Sequence, residues 1–130
     1  MVIPLYNEES VIGGVIDDLH REFAHVVCVD DGSSDSSAAA AAASGAMLVH
    51  HPVNLGQGAS LQTGIEYALS HSECEYIVTF DADGQHRVSD AVDMLAVARN
   101  EGAAVVFGSR FLDDRTNPGW IKRIILKTAI

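Results

Sequence analysis

Apolar positions along the chain fall into two alternating rhythms. Short runs that are apolar throughout, "VVCV" at 26–29, "MLV" at 47–49, "YIVTF" at 76–80 and "AAVVF" at 103–107, are separated by longer stretches in which apolar residues return every three or four positions. The first rhythm predicts buried strands and the second amphipathic helices. Val2-Ile3 reads as a strand stub, followed by a helix carrying Val11, Ile12, Val15, Ile16, Leu19 and Phe23, with Asn7-Glu8-Glu9-Ser10 as its capping and first-turn residues. "HVVCVDD" is the second strand, and "SDSSAAAAAASGA" a helix favoured by six alanines and closed by Gly45. A strand over "MLVHH", a helix over "GQGASLQTGIEYALSH", a strand over "YIVTF", a helix over "VSDAVDMLAVARNEG" and a strand over "AAVVFGS" complete the alternation. Residues 109–117 read as a linker-like loop, and residues 118–130, with Pro118 in the first turn, as the start of a terminal helix.

Strands without polar alternation, each separated by a helix, predict an α/β fold: an open, wound, mainly parallel sheet with helices on both faces. The length of 130 residues and a 48% apolar composition suit one domain with one core. The first strand is short and the last helix has no cap, so the chain is expected to be the N-terminal part of a longer protein, truncated at both ends.

The net charge of −10 is unevenly spread, about −13 over residues 1–108 and +3 over residues 109–130. An acidic body argues against nucleic acid as a partner, because that affinity rests on phosphate neutralisation by Lys and Arg. A polyanionic ligand is compatible only through a bridging metal ion. Cys28 and Cys74 lie in or beside apolar runs without metal-ligand spacing and read as buried thiols of a reducing, cytoplasmic compartment. No apolar stretch approaches the roughly 20 residues of a membrane span.

Five polar clusters follow the five predicted strands: "PLYNEE", "DDGSSD", "NLGQG", "DADGQH" and "GSR". All therefore lie at the carboxyl ends of parallel strands, the edge at which open α/β sheets bind ligands. Taken singly, each has a plain structural reading as a cap, a turn or a glycine loop. His50, His51 and His86 read as polar edge residues rather than metal ligands, and Trp120 as core or interface. The sharpest cluster is Asp81-Ala82-Asp83. In a strand, residues i and i+2 point the same way, so the two carboxylates converge beyond the sheet edge, with Gln85 adding a neutral oxygen. Converging carboxylates repel unless a cation sits between them, and Mg2+ or Mn2+ held there leaves coordination sites for phosphate oxygens.

Three enzyme or receiver chemistries use such acids. A haloacid dehalogenase-type phosphohydrolase requires a downstream lysine and opens its fold on the motif strand, and a phosphoacceptor receiver requires a lysine after the fifth strand. Here the only lysines, Lys122 and Lys127, are in the terminal helix, and Ser109-Arg110 follows the fifth strand. The third is a nucleotide-sugar transferase. The ordered motifs "VIPLYNEE", "VVCVDDGSSD", "NLGQGASLQTGIEYA", "YIVTFDADGQH" and "VVFGSRF" resemble a family 2 glycosyltransferase with the GT-A fold, most of all the polyprenyl-phosphate (dolichol-phosphate) mannosyl or glucosyl synthases.

That resemblance implies a nucleoside-diphosphate sugar donor and Mg2+ or Mn2+ as cofactor. It implies that Pro4, Tyr6, Asn7 and Glu8 line the nucleotide pocket, that Asp31, with Asp30 beside it, bonds the base, and that Gly56 and Gly58 belong to a loop closing over the nucleotide. Asp81, Ala82 and Asp83 form the Asp-x-Asp element, Asp81, Asp83 and Gln85 hold the metal, and Arg110 faces phosphate, so that Asp83 and Arg110 carry the transfer. The implied acceptor is a polyprenyl phosphate at the cytoplasmic face of a membrane, with inversion at the sugar, and a homo-oligomer is compatible with it. A phosphate acceptor is already an anionic nucleophile; a hydroxyl acceptor requires a general base from beyond Ile130. The contrasting expectation is a nucleotide-binding fragment of the same fold without turnover.

Overall fold

The structure is a computed structural model that describes residues 1–71 and 74–108. Three strands, β1 (Val2–Leu5), β2 (Val27–Asp30) and β3 (Met47–His50), form a parallel sheet in the order β1-β2-β3. Between and after them come α1 (Ile12–Leu19), α2 (Ser37–Ala43), α3 (Gln57–His71) and α4 (Val88–Glu101). The register aligns Leu5 with Asp30 and Asp30 with His50, so the strands end level with one another. Their carboxyl ends form one edge.

Strand parity sorts the core into two layers. Ile3, Leu5 and Cys28 pack with Ile12, Ile16 and Leu19 of α1 and Ala41 of α2 on one face. Val2 and Val29 point to the other, where α3 crosses so closely that a Cβ on Gly64 would lie 2.4 Å from Val2 Cγ1 and 3.0 Å from Val29 Cγ2. A glycine is therefore required at position 64 for α3 to seat on the sheet. The alternation of buried strand and amphipathic helix thus has its physical counterpart in helices on both faces.

Three expectations change. The segment 76–80 does not extend the ladder as a full strand: a parallel bridge joins Val2 to Thr79, supported by Val2 N donating to Val78 O (2.9 Å) and Phe80 N donating to Val2 O (3.0 Å). The expected fifth strand has no sheet pairing over residues 103–108, and Val105 and Phe107 are exposed. A strand exists only where its backbone groups meet a partner, and a cavity of about 500 Å3 lies between this segment, residues 76–81 and α4. Third, the polar residues before α1 do not cap it. Its N-cap is Val11, without a side-chain hydrogen bond, because Asn7 and Glu9 bond across to the loop after β2 instead. The linker-like loop 109–117 and the terminal helix, with Trp120, lie outside the described residues. Among the described residues no helix is long and apolar enough to cross a membrane.

Candidate functional site

Two loops at the carboxyl edge are laced together. Asn7 stands at φ 54°, a left-handed conformation that Asn tolerates, and its Oδ1 accepts from Ser34 N at 2.9 Å while its own N–H donates to Ser33 Oγ at 3.0 Å. Glu8 N donates to Ser37 Oγ (2.7 Å) and Ser36 N to Glu9 Oε2 (2.8 Å). The loop after β1 is thereby fixed against the loop after β2. Asn7 serves this clamp and does not line the cleft described below.

The neighbouring aspartates of β2 part company. Asp30, the last strand residue, is buried, accepts from Ser33 N at 3.3 Å and pairs with His50 Nδ1 at 2.7 Å. Its carboxylate holds a turn and a strand end, not the cleft. Asp31, one residue later, is also buried (3% exposed) but lines the cleft. Its Oδ1 accepts from His51 Nδ1 (2.8 Å) and Leu55 N (2.9 Å), and its Oδ2 from Gly56 N (2.7 Å). His51 is itself buried, and its Nε2 lies 2.9 Å from Thr63 Oγ1. Since a carboxylate only accepts, the proton on Nδ1 is fixed and the ring bridges α3 to Asp31. Burial alone would push the Asp31 carboxyl up, but the Leu55 amide, the His51 ring, the Gly56 amide and the Ser60 hydroxyl outweigh it and hold the carboxyl below its ordinary value. Asp31 is a preformed anion.

The facing wall is the Asp81–Asp83 element. The chain has left its strand geometry by this point and turns at Ala82 and Asp83, so strand periodicity is not what brings the carboxylates together. Buried Ala82 anchors the turn, and Asp81 and Asp83 both reach the cleft. Asp81 is about half exposed; Gln57 Nε2 donates to its Oδ1 at 3.1 Å and His86 Nε2 lies 3.0 Å from its Oδ2. Asp83 Oδ1 accepts from Gln85 N at 2.9 Å, and the Gln85 side chain does not line the cleft.

The cleft between these walls has a volume of about 410 Å3. Of the residues expected at the site, Pro4, Tyr6, Glu8, Asp31, Gly56, Asp81, Ala82 and Asp83 line it. Asn7, Asp30, Gly58 and Gln85 do not, and Arg110 lies outside the described residues. Leu5, Asn54, Gln57 and Ser60 line it as well. Among the described residues no three His, Cys, Asp or Glu side chains group to cage a metal. The donor set of the cleft is instead two carboxylates on a mostly open wall, which fits a small hard cation that keeps water and phosphate oxygens in most of its shell. The site chemistry is therefore one buried anion, Asp31, and two more open acids, the half-exposed Asp81 and the exposed Asp83, on one cleft.

Comparison with known proteins gives a consistent picture. The family model described as "Glycosyl transferase family 2" matches residues 1–128. Glycosyltransferase AglJ of Haloferax volcanii is 34% identical over 125 residues, covering 95% of this chain and 39% of that protein. UDP-N-acetylglucosamine–dolichyl-phosphate N-acetylglucosaminyltransferase of Methanococcus voltae is 29% identical over 128 residues, covering 85% and 51%. The chain thus spans about half the length, or less, of the curated relatives it matches. Among solved structures, mannosyl-3-phosphoglycerate synthase from Rubrobacter xylanophilus superposes with a TM-score of 0.62 at 25% identity, covering 75% of this chain and 35% of that one. Glucosyl-3-phosphoglycerate synthase from Mycobacterium tuberculosis, in complex with Mn2+, UDP-glucose and phosphoglyceric acid, does so at 0.50 and 28%, covering 62% and 31%.

Proposed function

We infer the function from one premise, that the chain belongs to glycosyl transferase family 2: it forms the donor-binding part of an enzyme that moves a sugar from a nucleoside-diphosphate sugar to a polyprenyl phosphate, with inversion. The observation that carries this reading is the convergence of Asp31, Asp81 and Asp83 on one cleft at the carboxyl edge of the sheet.

The two kinds of acid in the cleft suit the two ends of a nucleoside diphosphate. Asp31 is held as an anion that can accept a hydrogen bond from a base N–H, and Tyr6, half exposed at the rim, offers an aromatic face beside it. Asp81 and Asp83 would hold Mg2+ or Mn2+, a reading supported by the Mn2+ and UDP-glucose bound to the Mycobacterium tuberculosis relative. When bound, that ion neutralises the charge that grows on the leaving diphosphate. Gln57 and His86, both exposed, each bond one oxygen of Asp81 and so hold its carboxylate loosely, free to adjust to the ion. Displacement at the anomeric carbon forms a bond to the acceptor oxygen and releases the nucleoside diphosphate. A polyprenyl phosphate attacks as an anion and requires no general base, which agrees with a cleft whose acids are committed to donor and metal. The dolichyl-phosphate acceptor named for the Methanococcus voltae relative supports this choice over a hydroxyl. Arg110 would face a donor or lipid phosphate, and an acceptor of this kind places the enzyme at the cytoplasmic face of a membrane.

The test is turnover by the full-length protein with polyprenyl phosphate and UDP-glucose, UDP-N-acetylglucosamine or GDP-mannose. Metal-dependent formation of the polyprenyl-phosphate sugar is expected. No transfer from any of the three donors, with nucleotide binding intact, contradicts a transferase and favours a nucleotide-binding module.

A further inference from the structure

The donor site contains a buried hydroxyl without a hydrogen-bond partner. Ser60, on the first turn of α3, is fully buried, lines the cleft, and its Oγ is the buried side-chain polar atom that finds no partner among the described residues. An unsatisfied buried hydroxyl is costly, and alanine is the better helix residue at such a position. Its neighbour is Asp31, close enough that the hydroxyl favours the carboxylate's charge without bonding it in ordinary geometry.

The hydrogen-bond capacity of Asp31 gives this hydroxyl a purpose. A carboxylate has roughly four lone-pair directions. Oδ1 already accepts from the His51 ring and the Leu55 amide, and Oδ2 accepts from the Gly56 amide. One direction on Oδ2 is left for a ligand, and the Ser60 hydroxyl, a neighbour of this carboxylate that lines the same cleft, is available as a donor. The pair is one acceptor next to one donor. A ring N–H next to a ring C=O is its complement, the lactam edge shared by uracil and guanine. With the ring seated in the same place, cytosine and adenine present a ring-nitrogen lone pair where uracil and guanine present N–H, and a lone pair facing a preformed carboxylate is repelled; their own amino N–H and ring nitrogen meet the pair only with the ring shifted by one position.

Building on the donor-binding reading above, we propose that Ser60 determines nucleobase specificity: its hydroxyl donates to the base carbonyl while Asp31 Oδ2 accepts the adjacent ring N–H, selecting uracil or guanine over cytosine and adenine. The inference separates from a structural role for Ser60, because a hydroxyl kept for stability would cost stability when removed. One kept for the ligand would not.

The experiment is calorimetric titration of UDP, GDP, CDP and ADP, each with excess Mn2+, into the wild-type chain and Ser60→Ala, with thermal melts of both proteins. The wild type is expected to bind UDP or GDP at least about 10-fold more tightly than CDP and ADP. Ser60→Ala is expected to lose about 3- to 10-fold for the preferred nucleotide alone, the worth of one hydrogen bond, while melting at no lower temperature. Equal losses for all four nucleotides, equal wild-type affinities, or a lower melting temperature with the selectivity intact each overturns the role of Ser60 and leaves the donor site standing. Absence of binding by any of the four overturns the donor site, and Ser60's role with it.

Discussion

Asp31 and Asp81 line one cleft and are held in opposite ways. Asp31 is buried and takes three hydrogen bonds from elements that the sheet and α3 place rigidly, including the ring of His51. Asp81 is about half exposed and takes two, both from side chains, Gln57 and His86, that are themselves exposed. The supporting structure differs in the same sense. The Asp31 end rests on a three-stranded ladder and two interlaced loops, whereas the Asp81 end rests on a single bridge to Val2. The contrast fits the proposed division of labour, a base read by Asp31 and a metal-bound diphosphate held by Asp81 and Asp83. A base edge is read by direction, so its partner must be immobile before the ligand arrives; a hydrated cation completes its shell with diphosphate and water, and tolerates carboxylates that adjust to it.

The largest expected effect breaks the open end. Asp83→Ala in the full-length protein should lower transfer by about 100-fold or more, since a single electrostatic partner of developing charge is commonly worth that much. Its melting temperature should barely move, because the side chain is exposed and bonds only a neighbouring amide. Steady-state kinetics and a thermal melt of the same preparation check both halves of that statement.

Asp31→Asn should do the reverse, costing stability as well as nucleotide affinity. The amide offers one acceptor where the carboxylate offers two, leaving a buried N–H of Leu55, Gly56 or His51 without its partner at a cost of about 1–3 kcal/mol. The effect carries a pH signature. The folded-state pKa of Asp31 lies below its ordinary value of 3.8, so its contribution is complete above that pH and is lost as pH falls through the folded value. Urea titrations from pH 6 downward should show a stability loss beginning near pH 4 that is smaller in Asp31→Asn than in the wild type.

A third substitution probes the support beneath both ends. Gly64→Ala forces a methyl group against Val2 and Val29, and Val2 is also the residue that bridges to Thr79. We expect about 1–3 kcal/mol of destabilisation by overpacking, measured in urea, with a smaller loss of metal-dependent nucleotide binding than Asp83→Ala produces.

The smallest effect is a labelling pattern. Cys28 is fully buried in β2, as its apolar run predicts, and burial pushes its thiol up to about 12, whereas Cys74, expected to be buried too, follows α3 outside any strand and is exposed. A thiol-specific reagent at pH 8 should modify one cysteine per chain rapidly and the other only on unfolding. Fast labelling of both would contradict a rigid sheet beneath Asp31.

The same contrast explains what could be read in the sequence. The alternation of apolar runs and helical periods gave β1 to β3, α1 to α4 and the two covered faces, because those elements are stabilised by their own patterned residues. Residues 76–80 and 103–108 have equally apolar patterns, but a strand also needs a hydrogen-bonding neighbour, and pattern alone does not count neighbours. The polar clusters marked the right edge of the sheet. They did not distinguish Asp30 from Asp31, although strand parity with Cys28 already assigns Asp30 to the α1 face. Ser60 and Gln57 went unnoticed inside a regular helix pattern; "GQGAS" at a helix start, opposite an acid pair, was the available signal. The pairing of His51 with Asp31 depends on the register of β2 against β3, which no local signal encodes.

The central claim is that one cleft reads a base at its rigid end and holds a metal-bound diphosphate at its open end. Calorimetry of UDP and GDP with the wild-type chain, in Mn2+ and again after chelation, tests it most directly. Binding of at least one of the two in Mn2+, lost or strongly weakened on chelation and likewise in Asp83→Ala, is the predicted result. Binding that is indifferent to metal and to Asp83, or absent for both nucleotides, contradicts it.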